Sequence, residues 1–132
     1  MMATLQQVVA NIKYLKIQGS QTIAEAALRA WASAKNKKQA SKLLKAARPT
    51  EPMLFRTLHA VETGADPLKL IEKFRKDRQK IAQFGAGLVK NNSVIFTHCH
   101  SSTVVDILKE AKRQGKKFVV HNTETRPMFQ GR

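Results

Sequence analysis

Residues 91–105 read Asn-Asn-Ser-Val-Ile-Phe-Thr-His-Cys-His-Ser-Ser-Thr-Val-Val, and residues 116–132 read Lys-Lys-Phe-Val-Val-His-Asn-Thr-Glu-Thr-Arg-Pro-Met-Phe-Gln-Gly-Arg. Each stretch carries a short apolar run, Val94-Ile95-Phe96 and Phe118-Val119-Val120, followed by polar residues. Between them Val104, Ile107, Leu108 and Ala111 recur at helical spacing, and Gly115 supplies a stop. The pattern is strand, polar loop with the sole cysteine, helix, strand: the opening of a parallel sheet with a right-handed crossover, of the kind that places ligands at strand C-terminal ends. Continuous apolar runs predict strands covered on both faces, and Thr103-Val104-Val105-Asp106 has capping-box spacing.

Working upstream, the preceding residues read as helices. Leu5, Val8, Val9, Ile12 and Leu15 form one stripe, predicting a first helix over 3–16, interrupted at Gln18-Gly19-Ser20. Ile23, Ala26, Ala27, Ala30, Trp31 and Ala34 mark a second, and Asn36-Lys37-Lys38 a loosening before a third over 40–47. Arg48-Pro49-Thr50-Glu51-Pro52 is a break, Met53 to Val61 a short helix closed by Gly64, and Asp66-Pro67 the start of a long one. Leu70, Ile71, Phe74, Ile81, Phe84 and Leu88 run along that last helix to about residue 90. The expected fold class is therefore α/β: an all-helical domain over 1–92, then the β-α-β start of a truncated Rossmann-like sheet over 93–132. Two strands leave an edge and an apolar face, so self-association or a complementary C-terminal chain is expected.

A chain of 132 residues with 42% hydrophobic content suffices for a folded core. No apolar run reaches membrane-spanning length and the first residues lack a signal-peptide pattern, which makes the cytoplasm the expected compartment and a membrane partner unexpected. Lys and Arg number 24 against 9 Asp and Glu, a formal net charge of +15. Up to residue 92 there are 17 basic and 6 acidic residues, and from 93 onward 7 and 3, giving +11 and +4. That excess attracts phosphate-bearing partners. It is scattered through helices and not interleaved with exposed aromatics, since Phe, Trp and Tyr mostly fall at expected core positions, so the pattern argues against specific nucleic-acid recognition.

Cys99 lies between His98 and His100 at the turn into a helix, with Ser101 and Ser102 following. Helix-terminal N–H groups favour a thiolate and a bound phosphate there; an inert buried cysteine is the alternative. His98, Cys99 and His100 are too close together to converge on one tetrahedral ion, so no metal is expected, nor any other cofactor. In the second loop Arg126 offers a guanidinium fork suited to an oxyanion, with Gln130 and Gly131 adding an amide and a close backbone approach; a solvated loop is the alternative. Together the two loops suggest a crevice for a sugar phosphate or a nucleotide phosphate, although neither G-x-G-x-x-G nor a Walker loop is present.

Thr97-His98-Cys99-His100-Ser101-Ser102 and Thr123-Glu124-Thr125-Arg126-Pro127, with Gln130-Gly131-Arg132, resemble the superfamily that joins the alpha, beta and delta subunits of initiation factor 2B, their archaeal relatives, and the ribose-1,5-bisphosphate and methylthioribose-1-phosphate isomerases. Lys16-Ile17-Gln18-Gly19-Ser20 and Ala47-Arg48-Pro49-Thr50 resemble that superfamily's helical N-terminal domain. The resemblance implies that Cys99 serves in acid–base chemistry, that Arg126 and Gln130 line the sugar-phosphate pocket, and that Gly19 with Ser20 forms a phosphate-contacting turn. It also implies a catalytic aspartate on a later strand than the sequence reaches. The chain is therefore expected to be inactive alone. Gln18 is closer to the factor-like, archaeal branch, which favours a binding or assembly module with a translation-factor partner. The paired histidines favour the alternative, the N-terminal half of a ribose-1,5-bisphosphate isomerase.

Overall fold

The computed structural model describes residues 3–126 and residue 131. Six helices and two strands follow in the order α1 (Leu5–Lys13), α2 (Ser20–Ser33), α3 (Lys37–Ala47), α4 (Pro52–Glu62), α5 (Pro67–Leu88), β1 (Ser93–His98), α6 (Ser102–Arg113) and β2 (Phe118–Thr123). A helical region followed by a parallel β-α-β motif is the architecture expected from the sequence. Its contacts divide the chain into two compact units, Met1–Phe74 and Arg75–Arg132, so the division falls within α5. No helix among the described residues is long and apolar enough to cross a membrane.

In the first unit, Ile12, Ile23, Leu28, Leu44, Leu54 and Leu58 are fully buried, with Ala24, Ala27, Ala30 and Ala40 letting the helices approach closely. Burial of such side chains stabilises by about 1.5–3 kcal/mol each. α1 starts in a capping box between Thr4 and Gln7, but it stops at Lys13, three residues short of the predicted end. Leu15 adopts a left-handed conformation, φ 58°, and the N–H groups of Lys16 and Ile17 both return to the Asn11 carbonyl, which closes the last turn. α3 begins at Lys37, earlier than predicted. Asn36 caps it by accepting from the Gln39 N–H at 2.9 Å, and Lys37 stacks 4.7 Å from the Trp31 ring while donating to the Trp31 and Ala32 carbonyls at the end of α2. The Lys-rich run thus caps two helices instead of loosening one. The Trp31 indole N–H donates at 2.9 Å to the Ser41 hydroxyl, which satisfies a buried polar side chain.

In the second unit the face presented by α5 differs from prediction. Ile81, Phe84 and Leu88 are exposed, and the buried residues are Ala82 and Ala86. Gly85 lies so close to α6 that a Cβ there would approach Ile107 Cδ1 to 2.6 Å. Contact is made through small residues at helical spacing, which reading by side-chain bulk misassigns. Arg78 pairs with Asp106. The predicted capping box at Thr103 is accordingly not formed; Ser101 caps α6, accepting from the Val104 N–H.

β1 and β2 are parallel, with Val94 opposite Val119, Phe96 opposite His121, Thr97 opposite Asn122 and His98 opposite Thr123. Contrary to the expectation of two covered faces, Val94 (70%), Phe96 (72%) and Val119 (55%) are exposed on one of them, because among the described residues a single crossover helix accompanies the pair. Phe84 and Tyr14 are exposed as well, so the aromatics are less confined to core positions than predicted.

Two predictions follow from these contacts. Lys45 donates to both carboxylate oxygens of Glu62, at 2.9 and 3.0 Å. That contact, assisted by the Ser41 hydroxyl, holds the Glu62 carboxyl below its ordinary range. A depressed carboxyl contributes stability above its unfolded-state pKa and loses it as pH falls through the folded value. Lys45→Met is expected to cost ~0.2–1 kcal/mol at pH 7 and less at pH 3, read from urea midpoints at the two pH values. At the α5–α6 contact, Gly85→Ala is expected to be tolerated at least ~1 kcal/mol better in an Ile107→Ala background than in the wild type, as measured by a denaturation double-mutant cycle.

Candidate functional site

A cleft of about 500 Å³ opens at the C-terminal end of the strand pair. Thr97, His98, Cys99, His100 and Ser101 from the first turn line it, with Val104, Val105 and Leu108 of α6, Val120 and Asn122 of β2, and Gly131. The parallel register brings the two loops together, and polar side chains tie them. The Thr97 hydroxyl donates to Asn122 Oδ1 at 2.8 Å, and Asn122 Nδ2 donates to the Gly131 carbonyl at 2.8 Å. One step further along, Thr123 Oγ1 lies 2.5 Å from His98 Nδ1 and accepts from the Cys99 N–H at 3.4 Å.

Cys99 is half-buried and left-handed, φ 61°, a conformation that L-residues with a Cβ rarely adopt. Its Sγ lies 3.7 Å from Thr125 Oγ1. Strain of this kind persists where surrounding contacts over-determine it, and here the Thr123 hydroxyl holds the Cys99 N–H from the neighbouring strand. The turn leads directly into α6, whose first N–H groups have no acceptor within the helix itself.

Of the residues singled out from sequence, His98, Cys99, His100, Ser101 and Gly131 line the cleft. Ser102 is the first residue of α6, behind the lining, and Arg126 also lies outside it. The Arg126 side chain is largely exposed, and its Nε donates to Glu124 Oε1 at 2.9 Å, so an anion must share the guanidinium with that carboxylate. Gln130 falls outside the described residues. Gly19 and Ser20 belong to the first unit, where Gly19, at φ 84°, is the N-cap of α2 and Ser20 its first residue. Thr97 and Asn122 open the two polar segments, 97–102 and 122–132, that the sequence places at the strand ends; what the sequence does not give is the hydrogen bond between them across the register pair. Among the described residues no group of three His, Cys, Asp or Glu side chains is arranged to hold a metal ion.

Comparison with known proteins decides the family. The model of the Initiation factor 2 subunit family matches residues 3–132. The chain belongs to that family. Within it, the ribose 1,5-bisphosphate isomerase of Thermococcus kodakarensis is 36% identical over 74% of this chain and 36% of its own length. The isomerase of the same name from Pyrococcus furiosus is 34% identical over 89% of this chain and 41% of its own length. A putative translation initiation factor eIF-2B subunit 2-like protein of P. furiosus is 43% identical over 48% of this chain and 23% of its own length. This initiation factor 2 family chain thus spans well under half the length of these curated relatives. In fold, the 5-methylthioribose 1-phosphate isomerase of Pyrococcus horikoshii superposes with a TM-score of 0.72 at 23% identity, covering 97% of this chain and 46% of that one.

The left-handed Cys99 supplies a prediction. Cys99→Val, which adds a β-branch at positive φ, is expected to be less stable than Cys99→Gly by ~1–2 kcal/mol, measured by chemical denaturation.

Proposed function

We propose that this chain supplies the N-terminal helical region and the first two sheet strands of a ribose-1,5-bisphosphate isomerase, with the Cys99 cleft as its part of the sugar-phosphate site. The observation that carries this reading is the conjunction of a strained, half-buried cysteine with a helix N-terminus at the mouth of a parallel strand pair, in a chain whose longer curated matches include ribose 1,5-bisphosphate isomerases. It takes precedence over the assembly-module reading expected from Gln18.

Aldose-to-ketose isomerisation moves a proton between adjacent carbons while a second group manages the hydroxyl proton. Cys99 is assigned the acid–base role. The first turn of α6, with its orphan N–H donors, is assigned to one phosphate group, and Arg126, a permanent cation outside the cleft lining, to phosphate charge beyond it. Glu124, engaged with Arg126, is a counter-ion in this scheme and not the second proton carrier. That carrier is expected on a complementary segment, as the family resemblance implies.

The factor-like reading retains one specific support, the 43% identity to the eIF-2B subunit 2-like protein over about half of this chain. The two readings separate in one experiment. The chain is mixed with the C-terminal portion of the T. kodakarensis isomerase, and conversion of ribose 1,5-bisphosphate to ribulose 1,5-bisphosphate is followed by phosphorus NMR. Turnover is expected, and Cys99→Ala is expected to lower it by about 10²–10⁴-fold, the range of general acid–base catalysis. A complex that forms without turnover favours the assembly module, and undiminished turnover in Cys99→Ala removes Cys99 from the mechanism.

A further inference from the structure

We infer that Thr123 is a positioning residue for Cys99: its hydroxyl accepts from the Cys99 N–H, donates to His98 Nδ1, and so holds the turn that carries the thiol from the neighbouring strand. The inference deepens the acid–base reading of Cys99 given above and rests on it, adding a residue that acts through the groups it holds.

The placement follows from the register. His98 and Thr123 are partners in the parallel ladder, so their side chains share a face, and Cys99 is the first residue beyond β1. Side chains alternate along a strand, and it is Asn122, the neighbour of Thr123, that lines the cleft. Thr123 lies outside that lining, so its effect on a ligand passes through Cys99. The direction of the bonds follows from valence. A hydroxyl has one hydrogen and two lone pairs, and the Cys99 N–H takes one lone pair at 3.4 Å. The hydrogen is left for His98 Nδ1, 2.5 Å away, which makes His98 the tautomer protonated at Nε2. Were Nδ1 protonated instead, the ring would donate, and the hydroxyl hydrogen would have no acceptor among the described residues.

Holding is needed because the turn is strained. Cys99 sits at φ 61°, where a residue with a Cβ is disfavoured, and its half-buried Sγ is set 3.7 Å from Thr125 Oγ1. At 3.4 Å the bond from the Cys99 N–H is long for an amide donor, and alone it is a weak restraint. The short contact to His98 changes that. An oxygen whose hydrogen is engaged is the better acceptor, so the imidazole strengthens the grip of Thr123 on the Cys99 N–H. Branching at Cβ adds to the effect, because it restricts χ1 of Thr123 and keeps the hydroxyl aimed at the turn.

Three measurements test the assignment. On the wild-type chain of 132 residues, nitrogen NMR of the His98 ring under alkaline conditions is expected to show the Nε2–H tautomer. This needs no variant and decides the direction of the bond whatever the stability of the mutants. Alkylation by iodoacetamide reports on Cys99 alone, the sole cysteine of the chain. It is expected to be about threefold or more faster in Thr123→Val, which keeps the shape but removes the hydroxyl, because the released turn exposes the thiol. Thr123→Ser, which restores the hydroxyl, is expected to bring the rate back to within about twofold of the wild type. In the mixture with the C-terminal portion of the T. kodakarensis isomerase, Thr123→Val is expected to lower kcat by about 10-fold and leave KM within about twofold, since the reacting group is displaced and the binding surface is not. A His98 ring protonated at Nδ1, an alkylation rate that Thr123→Val leaves unchanged or Thr123→Ser fails to restore, or a raised KM at unchanged kcat overturns the assignment. No turnover in the wild-type mixture sinks the isomerase reading instead, and the hold of Thr123 on Cys99 is then decided by the tautomer and the alkylation rates.

Discussion

The parallel register of β1 and β2 is the constraint on which the cleft depends. Parallel pairing sets Thr97 beside Asn122 and His98 beside Thr123, and it brings both loops out at the same end of the sheet. A slip of one residue would turn every side chain to the opposite face. Cys99 would lose the Thr123 hydroxyl that holds its N–H, and Asn122 would lose its orienting partner. The turn at positive φ in Cys99 is supported from across the strand pair, by Thr123, rather than by its own local sequence.

What feeds this register is the α5–α6 contact and the short connections on either side. Asn91 accepts from the Lys117 N–H, and the Asn92 N–H returns to the Lys117 carbonyl, so the beginnings of both strands are fastened before the ladder starts. Arg78 and Asp106 join α5 to α6, and Ala82, Gly85 and Ala86 allow close approach. The strand pair is thus held at its start by backbone and amide contacts and at its end by hydroxyl and amide contacts, with apolar residues between.

The succession of elements was legible in the sequence because periodicity and punctuation agree: apolar runs mark the strands, Gly64 and Gly115 lie just past helix ends, and Pro52 and Pro67 open helices. Element boundaries were less legible where capping decided them. Lys37 reads as part of a polar break, yet its ammonium serves the last carbonyls of α2 while its backbone opens α3. The contact face of α5 was misread because hydrophobicity scales reward Phe84 and Leu88, whereas close packing selected Gly85 and Ala86. In the site, Cys99 and its histidines announce themselves by residue type. Asn122 is legible only as the start of a polar segment, since its bond to Thr97 depends on the pairing of two strands 25 residues apart.

The fit between Gly85 and Ile107 carries a consequence for how sequences of this kind can drift. Space at that crossing is shared, so neither position is free to vary by itself. A larger residue on α5 becomes acceptable only after α6 has surrendered a branched side chain, and the order of the two changes matters, because trimming first leaves a void whereas growing first forces an overlap. Such a pair behaves as one heritable unit, and it does so without touching the cleft whose strands it helps to seat.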